Sequence, residues 1–431
     1  MAAAEKIDIL LLGSGGREHA LLVKLAASPC AGRLWVAPGN GGMRDLAQVA
    51  DVNQESPRDV AGFARREGIG LVVIGPEAPL VAGVADAVRA EGIPVFGPSA
   101  AAAQMEGSKK FAKEVMSRAG VPTAAYQSFT DERACADYVR GLGGPCVVKA
   151  DGLAAGKGVI VAQTTEEALV GVHECFTDFG AAGSTVMVEE MLDGPECSLL
   201  ALTDGTTVVP LATSQDHKRA LDGDRGPNTG GMGVYSPVPI LLPDELEQMV
   251  QIERQVVGQL RADGIIYQGC LYGGFMLTKD GPKVLEFNAR FGDPETQVVL
   301  PRMKADLVEC FLACDDGSLD EAMVRWEDDW AVSVVLASKG YPGHYEKGKP
   351  ISGIADANAM EGVFVYHAGT TLDDEGNVLT NGGRVLDVTA IAPSFEEARN
   401  KAYQACDRIS FEGKTYRHDI GIKAIKGRAN L

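Results

Sequence analysis

Short apolar runs alternate with helical patterns over the first hundred residues of the chain. The apolar runs predict strands at 7–12, 34–37, 71–74 and 94–96, and helical spacing predicts helices at 19–27, 58–67 and 80–91. Strands that alternate with helices are typical of a parallel sheet that is covered by helices on both faces. The pattern therefore predicts a Rossmann-like α/β domain at the N-terminus.

Beyond residue 107 the pattern becomes α+β. Helices are predicted at 108–119, 131–142, 165–176 and 244–262, and strands at 145–150, 159–162, 185–189, 269–277 and 282–287. The stretch 217–236 is polar and rich in glycine, which predicts a loop. The last part has predicted strands and a helix at 332–337, 363–367, 384–390 and 394–410, and no cluster of reactive residue types stands out there. We therefore expect three domains, at 1–106, 107–325 and 326–431, the last a small α+β domain.

The composition is that of a folded acidic protein. Of the 431 residues 45% are hydrophobic, and 40 basic against 59 acidic residues give a formal net charge of −19. Because an acidic chain repels nucleic-acid backbones and anionic lipids, we expect neither nucleic acid nor a membrane as partner. The apolar run 7–12 is too short to cross a bilayer, and nine scattered cysteines without a CxxC pair are typical of reduced, buried thiols. We expect a cytoplasmic enzyme.

The first glycine cluster follows the first predicted strand. Gly15 and Gly16 leave room for a phosphate beside their backbone amides, and Arg17 adds a positive charge. A nicotinamide-binding motif does not fit, because Glu18 stands where the third glycine should be and no acid ends the next strand. A phosphorylated small substrate fits better, although the glycines are also compatible with a plain tight turn. Glu77 follows the third strand at the same sheet edge, where open α/β sheets bind ligands.

A second glycine-rich loop, at 151–158, joins two predicted strands. It is not a Walker loop, because such a loop leads into a helix and has serine or threonine after its lysine, whereas Gly158 follows Lys157. A hairpin that closes over a polyphosphate remains as the interpretation. Lys149 ends the preceding apolar strand, where an ammonium group is costly unless it meets an anion or reaches solvent. The acidic run at 189–196 is also compatible with ordinary surface charge.

The densest group of polar residues lies at 284–295. Strand alternation places Glu286 and Asn288 on one face and Leu285 and Phe287 on the other. Since hard divalent cations prefer oxygen ligands, and phosphate sites are predicted nearby, the two polar residues indicate a magnesium site.

Further charged residues surround this predicted metal site. Arg290 and Asp293 follow it directly and are suited to hold a carboxylate and an amine. A polar loop in the middle of the chain adds Asp216 and Lys218, and 226–233 adds backbone donors. Alone each stretch is compatible with a plain loop, but together they predict a site for charged small molecules.

Eight motifs in this order give the chain a family resemblance: GSGGREHAL, VAPGN, GPEAPL, EGSKKF, VVKADGLAAGKGV, ATSQDHKR, GPNTGGMG and LEFNARFGDPETQ. They resemble the phosphoribosylamine–glycine ligases, or glycinamide ribonucleotide synthetases, in their stand-alone bacterial form, from about residue 7 to about residue 425. The resemblance implies an ATP-grasp fold that holds ATP between two lobes, the small lobe at about 123–190. It implies ligation of glycine to 5-phosphoribosylamine through glycyl phosphate, an early step of purine synthesis that gives glycinamide ribonucleotide, ADP and phosphate.

The resemblance also implies roles for individual residues. ATP would be bound by Lys109, Lys149, Gly152, Gly156, Lys157, Gly158, Glu189, Glu190, Leu192 and Glu196. The substrates would be bound by Gly15, Gly16, Arg17, Glu77, Asp216, Lys218 and Arg290, and the catalytic residues would be Asp216, Arg290 and Asp293. Mg²⁺ or Mn²⁺ would be held by Glu286 and Asn288. The preceding strand offers no carboxylate where many ATP-grasp enzymes have another metal ligand, which leaves the number of metal ions open. The family further implies a monomer.

Other functions remain open. An oxidoreductase with a divergent nucleotide-binding domain would bind NADH saturably, and only the glycine cluster after the first strand supports it. Another ATP-grasp carboxylate ligase or carboxylase of purine metabolism would share the ATP site but would not need glycine. A non-enzymatic, regulatory nucleotide-binding protein is a further alternative, which the intact metal and phosphate motifs disfavour.

Overall fold

The computed structural model describes residues 6–153 and 158–426. Four sheets of four to six strands organise these residues, together with three two-stranded ribbons. Within the described ranges, no helix has both the length and the apolar character needed to cross a membrane.

The N-terminal part is a five-stranded parallel sheet between helices. Its elements are β1 (Ile7–Gly13), α1 (Gly16–Ala26), β2 (Ala31–Pro38), β3 (Gln48–Val49), α2 (Pro57–Glu67), β4 (Leu71–Ile74), α3 (Glu77–Val81), α4 (Val84–Ala90), β5 (Val95–Phe96) and α5 (Gln104–Gly107). The strand order is β3-β2-β1-β4-β5. Alternate residues of β1 enter two separate cores, one shared with α1 and the other with α2 and α4. The predicted α/β domain is confirmed, because burial on both faces is what its apolar runs require.

A four-stranded antiparallel sheet forms the small lobe that follows α6 (Lys109–Ala119). Its elements are β6 (Tyr126–Phe129), α7 (Glu132–Leu142), β7 (Cys146–Ala150), β8 (Val159–Ala162), α8 (Thr165–Asp178), a 3-10 helix (Gly180–Ser184) and β9 (Val186–Glu190). The strand order is β6-β9-β7-β8. Helices α7 and α8 and the facing side chains of β7 and β9 form one apolar core. The opposite face of β7 and β9 is left to carry charged residues.

The large lobe is built on a second antiparallel sheet. Its elements are β10 (Glu196–Thr203), β11 (Val208–Pro210), β12 (Gln215–Asp216), β13 (Arg219–Leu221), β14 (Arg225–Asn228), β15 (Gly233–Ser236), α9 (Pro243–Ala262), β16 (Gly269–Thr278), β17 (Gly281–Asn288), α10 (Thr296–Val299), a 3-10 helix (Leu300–Arg302), β18 (Met303–Lys304), α11 (Leu307–Asp316), a 3-10 helix (Glu321–Met323) and β19 (Arg325–Trp326). The sheet order is β11-β10-β16-β17. Helices α6 and α9 cover one face of this sheet with apolar side chains.

The C-terminal sheet takes strands from two distant parts of the chain. The remaining elements are β20 (Trp330–Ser338), α12 (Ile354–Asn358), β21 (Val363–His367), β22 (Thr370–Leu372), β23 (Val378–Thr380), β24 (Arg384–Ala392), α13 (Phe395–Arg408), β25 (Lys414–Thr415) and α14 (Ile422–Lys426). The sheet order is β12-β15-β20-β24-β21, and β25 pairs with β20. Since β12 and β15 precede residue 325, this sheet extends across the boundary that the sequence predicts.

Aromatic packing joins the N-terminal sheet to the large lobe. The rings of Phe96 on β5 and Phe311 on α11 are stacked, with centroids 3.6 Å apart and planes 18° apart. Phe291 lies against both rings. A single apolar core therefore extends from β1 through α11 to β16.

Two local predictions differ from the structure. The helix expected at 80–91 is split into α3 and α4, because Gly83 has φ 86°, a left-handed conformation that interrupts a helix. The polar stretch 217–236, expected to be a loop, contains the β13–β14 hairpin and β15. These short strands are rich in glycine and charged residues, so they lack the apolar alternation from which a strand is predicted.

Candidate functional site

A cavity of about 540 Å³ lies between the N-terminal part, the two lobes and the C-terminal sheet. The loops after β1 and β4 line it, as do strands of both lobes and the first residue of β24. Its charged lining residues are Arg17, Glu18, Glu77, Glu106, Lys109, Lys113, Lys149, Glu189, Asp216, Lys218, Glu286, Arg290, Asp293, Glu295 and Arg384. This concentration of both signs of charge suits a site for small polar ligands rather than an apolar one.

A buried carboxylate between two lysines forms the small-lobe end of the cavity. The antiparallel register places Lys149 of β7 and Glu189 of β9 on one face, and their charged atoms are 2.9 Å apart. Lys113 of α6 approaches the other oxygen of Glu189 at 3.3 Å. Burial lowers the pKa of Lys113 to about 8, although Glu189 acts in the opposite direction. Two positive charges against one negative charge leave this end of the cavity electropositive, which suits an anion.

Oxygen atoms of Glu286 and Asn288 are open to the cavity. Neither side chain makes a hydrogen bond or an ion pair within the described ranges. Burial tends to raise the pKa of Glu286, but the charges of Lys218 and Lys149, among others, hold it below its usual value. Among the residues that the structure describes, Glu286 is therefore an ionised carboxylate without a hydrogen-bond or ion-pair partner.

A β-bulge changes the face of the strand that carries these two residues. Gly274 pairs with Glu286 and Phe275 pairs with Val284, so Leu285 between them is the bulged residue. Its carbonyl accepts a hydrogen bond from Lys149 Nζ at 3.2 Å. The simple alternation expected for 284–288 is thus interrupted, and Leu285 lines the cavity as well.

Arg290 joins two acids from the N-terminal part of the chain. Its Nη2 lies 2.8 Å from Glu106, and its Nε lies 3.6 Å from Glu77. Glu106 also accepts a hydrogen bond from the Ala289 amide at 2.7 Å. Burial tends to lower the pKa of Arg290, but the two acids hold it above its usual value. The guanidinium is a fixed positive charge in the lining of the cavity.

Asp293 belongs to a network that reaches the C-terminal sheet. Its carboxylate lies 3.0 Å from Arg384 Nη2 and accepts a hydrogen bond from Gln297 at 2.8 Å. Gln297 also donates to Asp387 at 3.2 Å, so one amide joins two buried carboxyl groups. Burial raises the pKa of Asp387 to about 7, and the charge of Asp293 adds to the effect. Arg384 and Asp387 lie in the region where no reactive cluster was expected.

Asp216, the last residue of β12, and Lys218, between β12 and β13, line the cavity. Lys218 Nζ lies 3.0 Å from Glu196, the residue predicted to hold the ATP ribose. Burial raises the pKa of Asp216 to about 7, while Lys218 opposes the shift and Glu295 adds to it. Asp216 is therefore a carboxyl group that can gain and lose a proton near neutral pH.

The glycine loop after β1 is partly occupied by the chain's own carboxylate. Glu18 is buried, and its Oε2 accepts a hydrogen bond from the Gly15 amide at 2.7 Å. Arg17 lies against the same carboxylate and donates to the Phe291 carbonyl at 3.2 Å. A Cβ on Gly75 would lie 2.6 Å from Glu18 Cγ, which explains why glycine stands there. The simple expectation of a free anion-binding turn is thus modified.

Most of the residues predicted for the site line this cavity. They are Gly15, Arg17, Glu77, Lys109, Lys149, Gly152, Gly158, Glu189, Asp216, Lys218, Glu286, Asn288, Arg290 and Asp293. Four described residues do not line it: Gly16, which packs against Asp387; Glu190, which is exposed and pairs with Lys283; Leu192; and Glu196. Gly156 and Lys157 lie outside the described residues.

Several cavity residues were missed by the sequence reading. Lys113 follows Lys109 by one helical turn on α6, a spacing that could have identified it. Glu106 and Glu295 stand inside two of the eight motifs, EGSKKF and LEFNARFGDPETQ, which could have identified them. Arg384 has no local signal, because only the pairing of distant strands brings it to the cavity.

Sequence profiles of one family match almost the whole chain. The N domain of phosphoribosylglycinamide synthetase matches residues 7–106, its ATP-grasp (A) domain matches 107–296 and its C domain matches 331–423. A phosphoribosylamine–glycine ligase of Rhizobium meliloti (strain 1021) is 49% identical over 421 residues, covering 97% of this chain and 99% of its own. A trifunctional purine biosynthetic protein, adenosine-3, of Gallus gallus is 50% identical over 424 residues, which are 97% of this chain and 42% of that protein.

Solved structures agree with these sequence matches. The crystal structure of a phosphoribosylamine–glycine ligase from Thermotoga maritima has a TM-score of 0.83 at 33% identity, covering 96% of this chain and all of that one. A biotin carboxylase from Campylobacter jejuni has a TM-score of 0.73 at 15% identity, covering 95% of this chain and 93% of that one. The second likeness is one of fold alone.

Proposed function

Because the chain belongs to the phosphoribosylamine–glycine ligase family, we propose that it joins glycine to 5-phosphoribosylamine and converts ATP to ADP and phosphate. The product is glycinamide ribonucleotide, an intermediate of purine synthesis. One observation in the structure carries the proposal: the cavity brings Lys109, Lys149, Glu286 and Asn288 of both lobes together with charged residues of the N-terminal part. Phosphoryl transfer from ATP requires cations that neutralise the phosphates and oxygen ligands that hold a metal ion, and this cavity offers both.

ATP would occupy the small-lobe end of the cavity. Lys149 and Lys113 supply its positive charge, and Lys109 Nζ donates to the Gly152 carbonyl at 2.9 Å at the start of the 151–158 loop. We expect the triphosphate to displace part of the lysine–carboxylate pairing around Glu189. The backbone after Glu189 would bind adenine, as the family resemblance implies.

Glu286 and Asn288 fit a hard divalent cation, because their oxygen atoms face the cavity and have no partner within the described ranges. Mg²⁺ or Mn²⁺ held there would neutralise charge on the phosphates of ATP. Lys218 and Lys149 keep Glu286 ionised before the cation arrives. The number of cations stays open.

The two acceptor substrates would lie beyond the phosphates, toward the N-terminal sheet. Arg290, fixed by Glu106 and Glu77, would hold the carboxylate of glycine, and Asp293 its amine. Arg17 would face the phosphoribosyl group, at the sheet edge where α/β folds bind ligands.

The chemistry needs positioned charges and no protein nucleophile. A glycine carboxylate oxygen attacks the γ-phosphorus of ATP, and ADP leaves, which gives glycyl phosphate. The amine nitrogen of 5-phosphoribosylamine then attacks the acyl carbon, a C–N bond forms, and phosphate leaves. The attacking nitrogen loses a proton in this step, and Asp216, with a pKa of about 7, is suited to accept it.

Phosphate release from ATP tests the proposal directly. The ribosylamine is labile and is generated in the assay, and glycine, ribosylamine and Mg²⁺ are omitted one at a time. Release that needs all three supports the proposal. Release without glycine would indicate another ATP-grasp ligase, and no release in any mixture would refute the activity.

Three expectations about the protein remain predictions. The family resemblance suggests a monomer, which light scattering of the purified chain measures. Cytoplasmic location and the domain boundaries at 106 and 325 likewise stay predictions.

A further inference from the structure

The tip of the β13–β14 hairpin is held by a distant segment, 417–423, which we call the C-terminal clamp. The Gly223 amide donates a hydrogen bond to Asp419 Oδ2 at 2.8 Å, across 196 positions of sequence. In the reverse direction, the His418 amide donates to Asp222 Oδ1 at 2.8 Å. Backbone donors on both segments thus meet side-chain carboxylates on the other, which fixes the tip in position as well as in orientation.

Arg417 is the centre of this clamp. Its side chain is only 1% exposed, and Nε and Nη2 each bind one oxygen of Asp419 at 2.8 Å. Its Nη1 donates to Asp224 at 2.8 Å and to the Arg219 carbonyl at 3.0 Å. Lys423 binds the other oxygen of Asp224 at 2.8 Å. This two-pronged geometry suits the planar guanidinium and cannot be reproduced by a lysine.

The clamped tip has an unusual backbone conformation. Asp224 has φ 53°, and it is the only non-glycine residue with a positive φ among those that the structure describes. Such conformations are sparsely populated and persist where the surroundings determine them. The two cations of the clamp, Arg417 and Lys423, are those surroundings.

Both arms of the hairpin lead from the clamp to the cavity. Asp216 and Lys218 line the cavity before β13, and Asn228 at the end of β14 lines it together with Thr229 and Gly230. The Thr229 amide and hydroxyl both donate to the Lys218 carbonyl, at 2.7 and 2.8 Å, and hold the two arms together. A displacement of the tip is therefore transmitted to both lining segments.

The clamp also touches the base of the hairpin. Between the two lining residues of the first arm stands His217, whose amide donates to the Gly233 carbonyl at 2.9 Å. Its Nε2 accepts a hydrogen bond from the Gly421 amide at 3.2 Å. Burial lowers the pKa of His217 to about 3, so the ring is neutral and can accept. The clamp thus holds the hairpin at its tip and at its base.

We propose that Arg417 and Asp419 are positioning residues of the ligase reaction, which fix the β13–β14 hairpin so that Asp216, Lys218 and 228–230 meet the acceptor substrates. The identity of these substrates rests on the proposed function. Arg417 itself does not line the cavity, and its effect is exerted through the hairpin.

Steady-state kinetics and hydrogen exchange of the full chain test this role. Arg417→Met should lower kcat/KM for glycine about 100-fold, as expected for misplaced groups, and should raise amide exchange over 217–233. The Kd of a non-hydrolysable ATP analogue should change much less than kcat/KM for glycine, because its phosphates bind at the small lobe. Arg417→Lys should restore little, since it cannot bind Asp419 with two prongs.

Two further variants keep the test decisive. Asp224→Asn keeps the side-chain size and tolerates the left-handed backbone, so it tests the clamp even if Arg417→Met does not fold. If the clamp acts as a unit, the kinetic effects of Asp224→Asn and Arg417→Met are less than additive. The matched control is Arg302→Met, because Arg302 is similarly buried but donates to the Asp329 and Glu327 carbonyls and to the Ser236 hydroxyl.

The outcomes separate clearly. Faster exchange of the hairpin with normal kcat/KM would overturn the proposal, as would an equal kinetic loss in Arg302→Met. If the wild-type protein does not require glycine, the proposed function fails by that result alone. The exchange measurement then still decides whether the clamp orders the hairpin, and unchanged exchange in both clamp variants would refute it.

Discussion

The Nζ atom of Lys149 lies 2.9 Å from Glu189 on the neighbouring strand, and both side chains are buried. Lys149 therefore extends from β7 into the cavity and is paired there with Glu189. The pair is compatible with phosphate binding, because Lys113 supplies a second cation to the same carboxylate.

Replacing Glu189 by glutamine should destabilise the protein, since it leaves two buried ammonium groups facing each other. Loss of one partner of a buried ion pair costs about 3–5 kcal/mol, and denaturant unfolding measures it. The matched control is Glu190→Gln on the same strand, whose pair with Lys283 is partly exposed and contributes about 1 kcal/mol or less. Equal losses of stability in both variants would contradict a buried ion pair of Glu189 with Lys113 and Lys149.

Replacing Glu286 by glutamine should lower kcat by about 100-fold or more, because a cation's charge stabilisation is worth several kcal/mol. The dependence on Mg²⁺ concentration should shift to higher values. Asp280→Asn, an exposed acid in the turn of the same hairpin, is the control and should leave both quantities unchanged. A Glu286→Gln enzyme with normal Mg²⁺ dependence would remove this residue from the metal site.

Arg384→Lys should lower kcat/KM by about tenfold or more, although it keeps the charge. The guanidinium donates to the Gly230 and Asp293 carbonyls and pairs with the Asp293 carboxylate, and an ammonium cannot keep all three contacts. Initial rates at varied glycine and ribosylamine measure the effect. Normal kinetics would mean that the three contacts of Arg384 do not position the site.

Asp387→Asn should change how stability depends on pH. Burial raises the pKa of Asp387 from 3.8 in the unfolded chain to about 7 in the folded protein. Between these values the folded state holds a proton that the unfolded state has lost, so this residue's contribution to stability falls as pH rises from 4 to 7. The variant lacks this loss, and its stability relative to the wild type should rise over that window and level off above it. Urea unfolding from pH 4.5 to 8.5 checks the slope, and parallel curves would refute the assignment.

Phe311→Ala should destabilise the contact between the N-terminal sheet and the large lobe by about 3–5 kcal/mol. Its ring is fully buried and stacked on Phe96. Denaturant unfolding gives the magnitude, and Leu312→Ala, a half-buried neighbour on the same helix, should cost less. The reverse order would mean that the stack is not the main contact.

The sequence predicts the local parts of this molecule well. The parallel sheet follows from apolar runs such as 7–12, and the positions of Glu286 and Asn288 follow from a motif within one strand. Contacts between distant parts of the chain could not be predicted from the sequence. Arg384 reaches the cavity because β24 pairs with β20, and β20 pairs with β15, relations that no local pattern contains. The bulge at Leu285 and the Glu18 carboxylate in the glycine loop also depend on packing rather than on spacing.

The C-terminal sheet has a consequence for how the chain is made on a ribosome. Strand β15 pairs with β20, which is synthesised about a hundred residues later, so Gly233 and its neighbours emerge before their partner exists. Long sequence separation between partners slows pairing. A nascent chain that ends at residue 325 would therefore carry every predicted metal and phosphate residue and still lack a finished active site.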